Sequence, residues 1–262
     1  MSRDAHIPRK RFGQHFLHDP GVLRRIVAAI NPRPGEPLVE IGPGEGALTD
    51  PLLAAGAELH VIELDRDLAA RLRARNEPRL QVIEADVLDV DLRALAARLG
   101  APLRLVGNLP YNVSSPILFH ALAQLAAITD MHFMLQKEVV DRMAAAPGGK
   151  EYGRLSVMLQ AWGEVEALFN GGPGAFRPPP KVDSAVALLR PRPAAEMGID
   201  DPARFAAVVK AAFGQRRKTL RNALAGVVDA ATIEAAGLDP GDRAERVPVA
   251  GFVALANRAC GG

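Results

Sequence analysis

A chain of 262 residues has room for one large or two unequal domains with a full apolar core. Its 48% hydrophobic and 24% charged content is ordinary for a globular protein, and a net charge of +2 excludes a polyelectrolyte, so any nucleic-acid site must come from local clustering. The single cysteine, Cys260, excludes an internal disulfide and a multi-cysteine zinc site; with no apolar run near 18 residues and no apolar stretch after the basic N-terminus, a soluble cytoplasmic protein without a membrane span or signal peptide is expected.

The N-terminal arm is basic, with Arg3, Arg9, Lys10 and Arg11 against Asp4 alone, and aromatics interleave it up to Phe16. Asp19–Pro20 is a helix start, an N-cap followed by proline at the first helical position. Val22, Leu23, Ile26, Val27 and Ile30 give that helix one apolar face, and Asn31–Pro32 stops it. His15 and His18 stand three apart, but no carboxylate or cysteine lies at a recognisable spacing, so a metal site is not expected.

Leu38–Ile41 is a short apolar strand running into Gly42-Pro43-Gly44-Glu45-Gly46, followed by a helix from Ala47 to Ala55. Glycines let a backbone turn tightly against a ligand, and the helix N-terminus carries partial positive charge. Gly42, Gly44 and Ala47 also fit the dinucleotide pattern G-x-G-x-x-A, with Glu63 21 residues after Gly42. Glu40 inside the strand and Glu45 inside the loop favour instead a ligand bearing an ammonium and a sulfonium, S-adenosylmethionine, over a pyrophosphate. A second strand, His60–Ile62, ends at Glu63, where a carboxylate can accept from ribose hydroxyls. A third, Leu80–Ile83, is followed by Asp86, placed to accept from an adenine amino group. Each acid alone could be a helix cap or a solvated turn; three at successive strand ends beside one crevice point to a nucleoside-bearing ligand.

After a helix over 90–99, the apolar run Leu103–Gly107 reads as a buried strand ending at Asn108-Leu109-Pro110-Tyr111. Asn both accepts and donates, Pro110 fixes its φ and has no N–H, and Tyr111 offers a flat face. These groups suit gripping an exocyclic amine on a planar ring, and four such residues also suit an ordinary strand-to-helix turn. Further on come a helix from Pro116, a fifth strand Met131–Leu135, a helix through Met143 and another over 151–162. Val165–Phe169 and Ala185–Leu189 read as a terminal pair of strands. Between them Pro178-Pro179-Pro180 stiffens a segment on which Phe176 is expected to form the second face of an aromatic sandwich with Tyr111. The βαβα alternation implies an α/β fold, an open, mostly parallel sheet with helices on both faces and its ligand at the carboxyl ends of the strands. The expected division is a domain over 1–191, a linker over 192–200 and a small all-α domain over 201–262. In the last, helices are expected over Pro202–Phe213, Gln215–Val228, Thr232–Ala236 and Val249–Ala256. It carries nine Lys/Arg against six Asp/Glu, and Arg216, Arg217, Lys218 and Arg221 form a basic helix face opposite Leu220 and Leu224. Such a face is solvated or meets phosphates.

Asn-Leu-Pro-Tyr resembles the Asn/Asp-Pro-Pro-Tyr motifs of amino methyltransferases. Taken with Arg-Lys-Arg-Phe-Gly-Gln-His-Phe-Leu (9–17), Glu-Ile-Gly-Pro-Gly (40–44), Val-Ile-Glu-Leu-Asp (61–65), Met-Leu-Gln-Lys-Glu-Val (134–139), Phe-x-Pro-Pro-Pro-Lys-Val-Asp-Ser (176–184) and Phe-x-Gln-Arg-Arg-Lys-Thr-Leu-Arg-Asn (213–222), it makes the chain similar to the bacterial small-subunit (16S) rRNA adenine N6,N6-dimethyltransferase family over most of its length. The resemblance implies a Rossmann-like S-adenosylmethionine-dependent methyltransferase domain with a small all-α RNA-binding domain. It implies dimethylation of two adjacent adenosines in the 3′-terminal hairpin loop of 16S rRNA, on immature small ribosomal subunits; a monomer is expected. S-adenosyl-L-methionine would be the cofactor, S-adenosyl-L-homocysteine the product, and no metal is implied. Carried over by position, Asn108, Leu109, Pro110, Tyr111 and Phe176 would be catalytic. His15, Leu17, Glu40, Gly42, Gly44, Glu63, Asp86 and Asn108 would hold the cofactor; Arg9, Lys10, Arg11, Arg216, Arg217, Lys218 and Arg221 would bind RNA. The rival readings are a non-catalytic nucleic-acid-binding factor on the same fold, a large-subunit rRNA adenine methyltransferase and a nicotinamide dehydrogenase.

Overall fold

The computed structural model describes residues 15–259, so the expectations for Arg9, Lys10, Arg11 and Cys260 lie outside the described residues. The chain opens with β1 (Phe16–Leu17) and α1 (Pro20–Ile30). The local chemistry of α1 is the expected one. The Asp19 carboxylate accepts from the N–H groups of Gly21 and Val22 at 2.7 and 2.9 Å, and Pro20 occupies a position that needs no N–H. Asn31 closes the far end in the left-handed region, φ 48°, with its N–H donating to the Val27 carbonyl.

The apolar runs become β2 (Pro37–Ile41), β3 (Glu58–Glu63), β4 (Leu80–Glu84), β5 (Leu103–Asn108) and β6 (Ile128–Gln136). They are joined in turn by α2 (Thr49–Ala54), α3 (Arg66–Arg73), α4 (Leu92–Leu99) and α5 (Ser114–Leu122). Then follow α6 (Lys137–Met143), α7 (Arg154–Trp162), β7 (Gly163–Gly171), β8 (Phe176–Arg177) and β9 (Ser184–Pro191). The sheet order is β4-β3-β2-β5-β6-β9-β7, with β1 and β8 paired separately. Strands β2 to β6 run parallel and β9 runs antiparallel to β6. Leu38, Val39, Leu59, Val61, Leu105 and Val106 are fully buried, as strands covered on both faces must be, and each such side chain contributes roughly 1.5–3 kcal/mol of burial.

From β2 the chain winds outward through β3 to β4, then returns to the other side of β2 for β5 and β6. That reversal leaves a crevice beyond the carboxyl ends of β2 and β5. The two strands approach closely there: a Cβ on Gly107 would lie 2.4 Å from the Ile41 carbonyl oxygen.

The chain divides into two units, one within Met1–Val140 and Glu166–Arg190, the other within Asp141–Val165 and Pro191–Gly262. The second therefore takes in α7, which the sequence pattern alone groups with the sheet. Its helices are α7, α8 (Ala194–Met197), α9 (Pro202–Gly214), α10 (Leu220–Ala223), α11 (Ala230–Ala235) and α12 (Val249–Arg258). Burial explains the regrouping. Helix α9 buries Phe205, Val208, Val209 and Ala212, and the Trp162 ring meets Phe205 edge-on at 6.3 Å. Tyr152 packs edge-on against Phe213 and donates its hydroxyl to the Val247 carbonyl at 2.9 Å. The segment expected as a linker contains the short α8.

One helix expectation is corrected. Gln215–Lys218 is a turn and only Leu220–Ala223 is helical, where a single helix over 215–228 was expected. The N–H groups of Leu220 and Arg221 donate to the carbonyls of Asp242 (2.7 Å) and Pro240 (3.0 Å), and Thr219 bridges Arg243. A tertiary partner has taken donors that a continuous helix would have used itself. Leu220 and Leu224 are still buried, as their four-residue spacing requires.

Candidate active site

The carboxyl ends of β2 to β5 line a cavity of about 650 Å³, a volume suited to a cofactor-sized ligand. His15, Leu17, Glu40, Gly42, Gly44, Glu63, Asp86, Asn108, Leu109, Pro110 and Tyr111 all line it. The glycine loop turns through left-handed conformations at Gly42 (φ 66°) and Gly44 (φ 59°), which a side chain would strain. The helix after it starts at Thr49, two residues beyond the expected Ala47, because 44–48 remain in turns.

Glu63 ends β3 with one carboxylate oxygen accepting from the Asp65 N–H (2.8 Å) and the other from the Gly44 N–H (3.1 Å). It thus ties the glycine loop to the next strand end. Burial raises its pKa, opposed by those same N–H groups. Glu40 is 2% exposed and accepts from the Thr49 hydroxyl at 2.7 Å. Burial pushes its pKa up to about 7 against the stabilising Thr49 hydrogen bond, and Glu63 pushes in the same direction as burial. Asp86 sits after β4 and accepts from the Leu88 N–H at 2.9 Å, so the bland capping role and a place on the cavity wall are combined in one residue.

Asn108 is fixed from an unexpected quarter. Its Nδ2 donates to the backbone carbonyl of His15 at 3.0 Å. A carbonyl can only accept, so this bond sets which way the amide faces. Among the described residues the other end, Oδ1, is buried without a hydrogen-bond partner. A buried acceptor without a donor is costly, which makes this atom a place where a ligand N–H is wanted. Next to it the Leu109 N–H donates to the Met134 carbonyl at 3.1 Å, locking the motif to β6.

Tyr111 is held by its hydroxyl, which shares a 2.6 Å hydrogen bond with the Ser184 hydroxyl at the start of β9. Burial raises its pKa, and the Ser184 bond works the other way. The ring stacked on Tyr111 is that of His15, centroids 5.4 Å apart. His15 in turn donates through Nδ1–H to the Pro178 carbonyl at 2.8 Å.

The expected aromatic sandwich is corrected here. Phe176 is 2% exposed, packs in the core and is not on the cavity wall, because β8 pairs it with Leu17. Its neighbour Arg177 faces the cavity instead. Sequence reasoning gave Ser184 no role although it closes a motif; its partner lies 73 residues away and no local spacing announces the contact. Of the basic group, Arg216 is engaged by the Lys150 carbonyl and lies 3.7 Å from Glu245, while Arg217, Lys218 and Arg221 are exposed. Among the described residues no cluster of three or more His, Cys, Asp or Glu could hold a metal ion, and no helix is long and apolar enough to cross a membrane.

The family model for ribosomal RNA adenine dimethylase matches residues 5–260. The chain belongs to that family. Members dimethylate adenine in ribosomal RNA, so this is an rRNA adenine methyltransferase of the S-adenosylmethionine-dependent class. Relatives named ribosomal RNA small subunit methyltransferase A, from Xanthomonas campestris pv. campestris strain B100 and Xanthomonas axonopodis pv. citri strain 306, are 63% and 62% identical over 251 residues, 95% of each chain. A dimethyladenosine transferase from Plasmodium falciparum shares the fold, with a TM-score of 0.76 at 24% identity over 92% of this chain and 96% of that one. The 23S rRNA methyltransferase ErmE superposes with a TM-score of 0.69 at 28% identity, over 94% and 99%.

The cavity of this adenine dimethylase fits the cofactor its family uses. Carboxylates stand at the ends of β2, β3 and β4, where a ligand with one ammonium, one sulfonium, a ribose and an adenine needs acceptors.

Proposed function

We propose that this chain transfers methyl groups from S-adenosylmethionine to the N6 amines of two adjacent adenosines in the 3′-terminal hairpin loop of 16S rRNA, within immature small ribosomal subunits. The observation that carries the reading is the buried, partnerless Oδ1 of Asn108, placed where the strand order reverses and beside the glycine loop. The choice of the small subunit rests on the relatives at 63% identity that carry that name, against 28% for the large-subunit enzyme of known structure.

When bound, S-adenosylmethionine supplies an electrophilic methyl group. Glu63 accepts from the ribose hydroxyls, Asp86 from the adenine amino group, and Glu40 lends negative charge beneath the loop. An adenine amine is a poor nucleophile because its lone pair is delocalised into the ring. Asn108 Oδ1 accepts one of its N–H groups and the Leu109 carbonyl the other, which draws the lone pair out of conjugation and toward the methyl. The amine loses its proton readily once methylated, so no side chain need act as base beforehand. Most of the acceleration is then orientation, up to ~7–11 kcal/mol in favourable systems. The target must leave its stack, and stacking on Tyr111 returns about 1–3 kcal/mol. The His15 imidazole lying on Tyr111 supports the idea that this face takes a flat ring. Arg217, Lys218 and Arg221 meet RNA phosphates.

Tritiated methyl transfer to unmethylated small subunits, with large subunits and fully methylated small subunits alongside, tests the reading. Label confined to unmethylated small subunits and approaching four methyl groups each is expected. Label on large-subunit rRNA would replace the substrate, and cofactor binding without transfer would leave a binding factor.

A further inference from the structure

Arg75 lies outside every motif that marks the family, in the turn after α3. Its guanidinium reaches back to the glycine loop and grips it from the outside. One Nη donates to the Glu45 carbonyl at 2.6 Å, and the other pairs with the Asp50 carboxylate in the first turn of α2. Gly46, with φ 89°, lies against it: a Cβ there would come within 2.3–2.8 Å of the guanidinium atoms. The space a side chain at 46 would occupy is thus filled by Arg75, and the arginine side chain is only 29% exposed. Behind the loop lies buried Glu40. Of the charged groups acting on it, Glu63 from β3 and Asp50 from α2 favour its neutral form, and Arg75 favours its ionised form; Thr49 contributes a neutral donor.

We propose that Arg75 is a positioning residue for the cofactor: a two-pronged latch that holds the Gly42–Gly46 loop in its ligand-receiving shape without touching the ligand. This rests on the reading of the cavity as the S-adenosylmethionine site. A guanidinium suits the task because its planar fork can hold a carbonyl and a carboxylate at once, which an ammonium cannot do with the same geometry. The latch also supplies positive charge that favours the ionised form of Glu40, against its burial.

The test is S-adenosylmethionine binding by calorimetry across neutral pH, on the full chain and on Arg75→Ala and Arg75→Lys, with melting temperatures and single-turnover methyl transfer at saturating cofactor. Losing two charge-assisted hydrogen bonds from a part-exposed site should weaken Arg75→Ala binding about tenfold at neutral pH. Its affinity should reach half-maximum at a higher pH, since Glu40 without the cation stays protonated longer, while transfer at saturation is unchanged. Arg75→Lys keeps the charge, so its pH midpoint should stay near that of the unsubstituted chain although affinity falls. Unchanged affinity and midpoint in Arg75→Ala would overturn the latch. So would a lowered melting temperature with the midpoint unmoved, which assigns Arg75 to stability alone. Failure of the unsubstituted chain to bind S-adenosylmethionine would instead bring down the cofactor reading, and the latch with it. Should Arg75→Ala not fold, Arg75→Lys decides: full affinity in that variant overturns the two-pronged geometry.

Discussion

Asn108→Ala removes two interactions that the structure separates. The first is the Nδ2 bond to the His15 carbonyl at 3.0 Å. Leaving that carbonyl without its donor costs about 1–3 kcal/mol of stability, a melting shift of roughly 2–4 °C for each kcal/mol in a protein of this size. The second is the Oδ1 acceptor, which has no partner among the described residues, so its loss costs the folded chain nothing further. During transfer the amine becomes cationic, and a hydrogen bond to a charged donor contributes about 1.5–3 kcal/mol, or roughly 10- to 150-fold in rate. The two effects are read by different assays: a thermal melt for the first, single-turnover methyl transfer with cofactor and RNA saturating for the second. Cofactor affinity is measured in parallel, because His15 also lines the cavity and its displacement would register there. Asn108→Asp serves as the companion. It keeps an acceptor for the amine but opposes the His15 carbonyl with a second acceptor, so it should lose stability and retain more of the rate than alanine does. A single-turnover rate for Asn108→Ala equal to that of the unsubstituted chain would refute the role of Oδ1.

Glu40→Gln should remove a pH dependence of stability. The folded pKa is raised from 4.5 to about 7, so the folded chain binds this proton more tightly, and stability present at acid pH is lost as pH rises through that window. At pH 8 the substitution should stabilise by about 3 kcal/mol in denaturant titrations, and equal slopes below and above the window in both proteins would contradict it. Glu63→Ala should weaken cofactor binding by calorimetry, since it removes the ribose acceptor and the tie to the Gly44 N–H together; an unchanged affinity would refute the ribose role. Neutralising Arg217, Lys218 and Arg221 should flatten the salt dependence of RNA binding, by roughly 0.7 in log–log slope for each phosphate left without its cation. An unaltered slope would leave them a solvated surface. Arg216 should matter less, being already engaged by Lys150 and Glu245.

What the sequence disclosed was local. Asp19, Pro20 and Asn31 bound α1 through contacts within four residues, and the apolar runs gave β2 to β6 because fully covered parallel strands need them. The acids Glu40, Glu63 and Asp86 line one cavity, as their places at successive strand ends suggested, because ligand crevices of such sheets lie beyond the carboxyl ends of the strands. What stayed hidden was settled by distant partners. Phe176 looks like an exposed ring on a stiff loop until Leu17 is known to pair with it. The break at Gln215–Lys218 depends on carbonyls of the 240–242 loop, and the allegiance of α7 on aromatic packing against Phe205, far along the chain from Trp162. The His15–Asn108 bond joins residues 93 apart, a separation that no local spacing announces.

The close approach at Gly107 has a consequence for how such a site can vary. With only a hydrogen between residue 107 and the Ile41 carbonyl, nothing adjustable separates the strand that leads into the donor's loop from the strand that presents the acceptor's amide. On the proposed reading of the site, the spacing between the glycine loop and Asn108 is set here by main chain, not by side chains. Substitutions around the cavity can retune grip, charge or target, while that spacing stays with the two neighbouring strands.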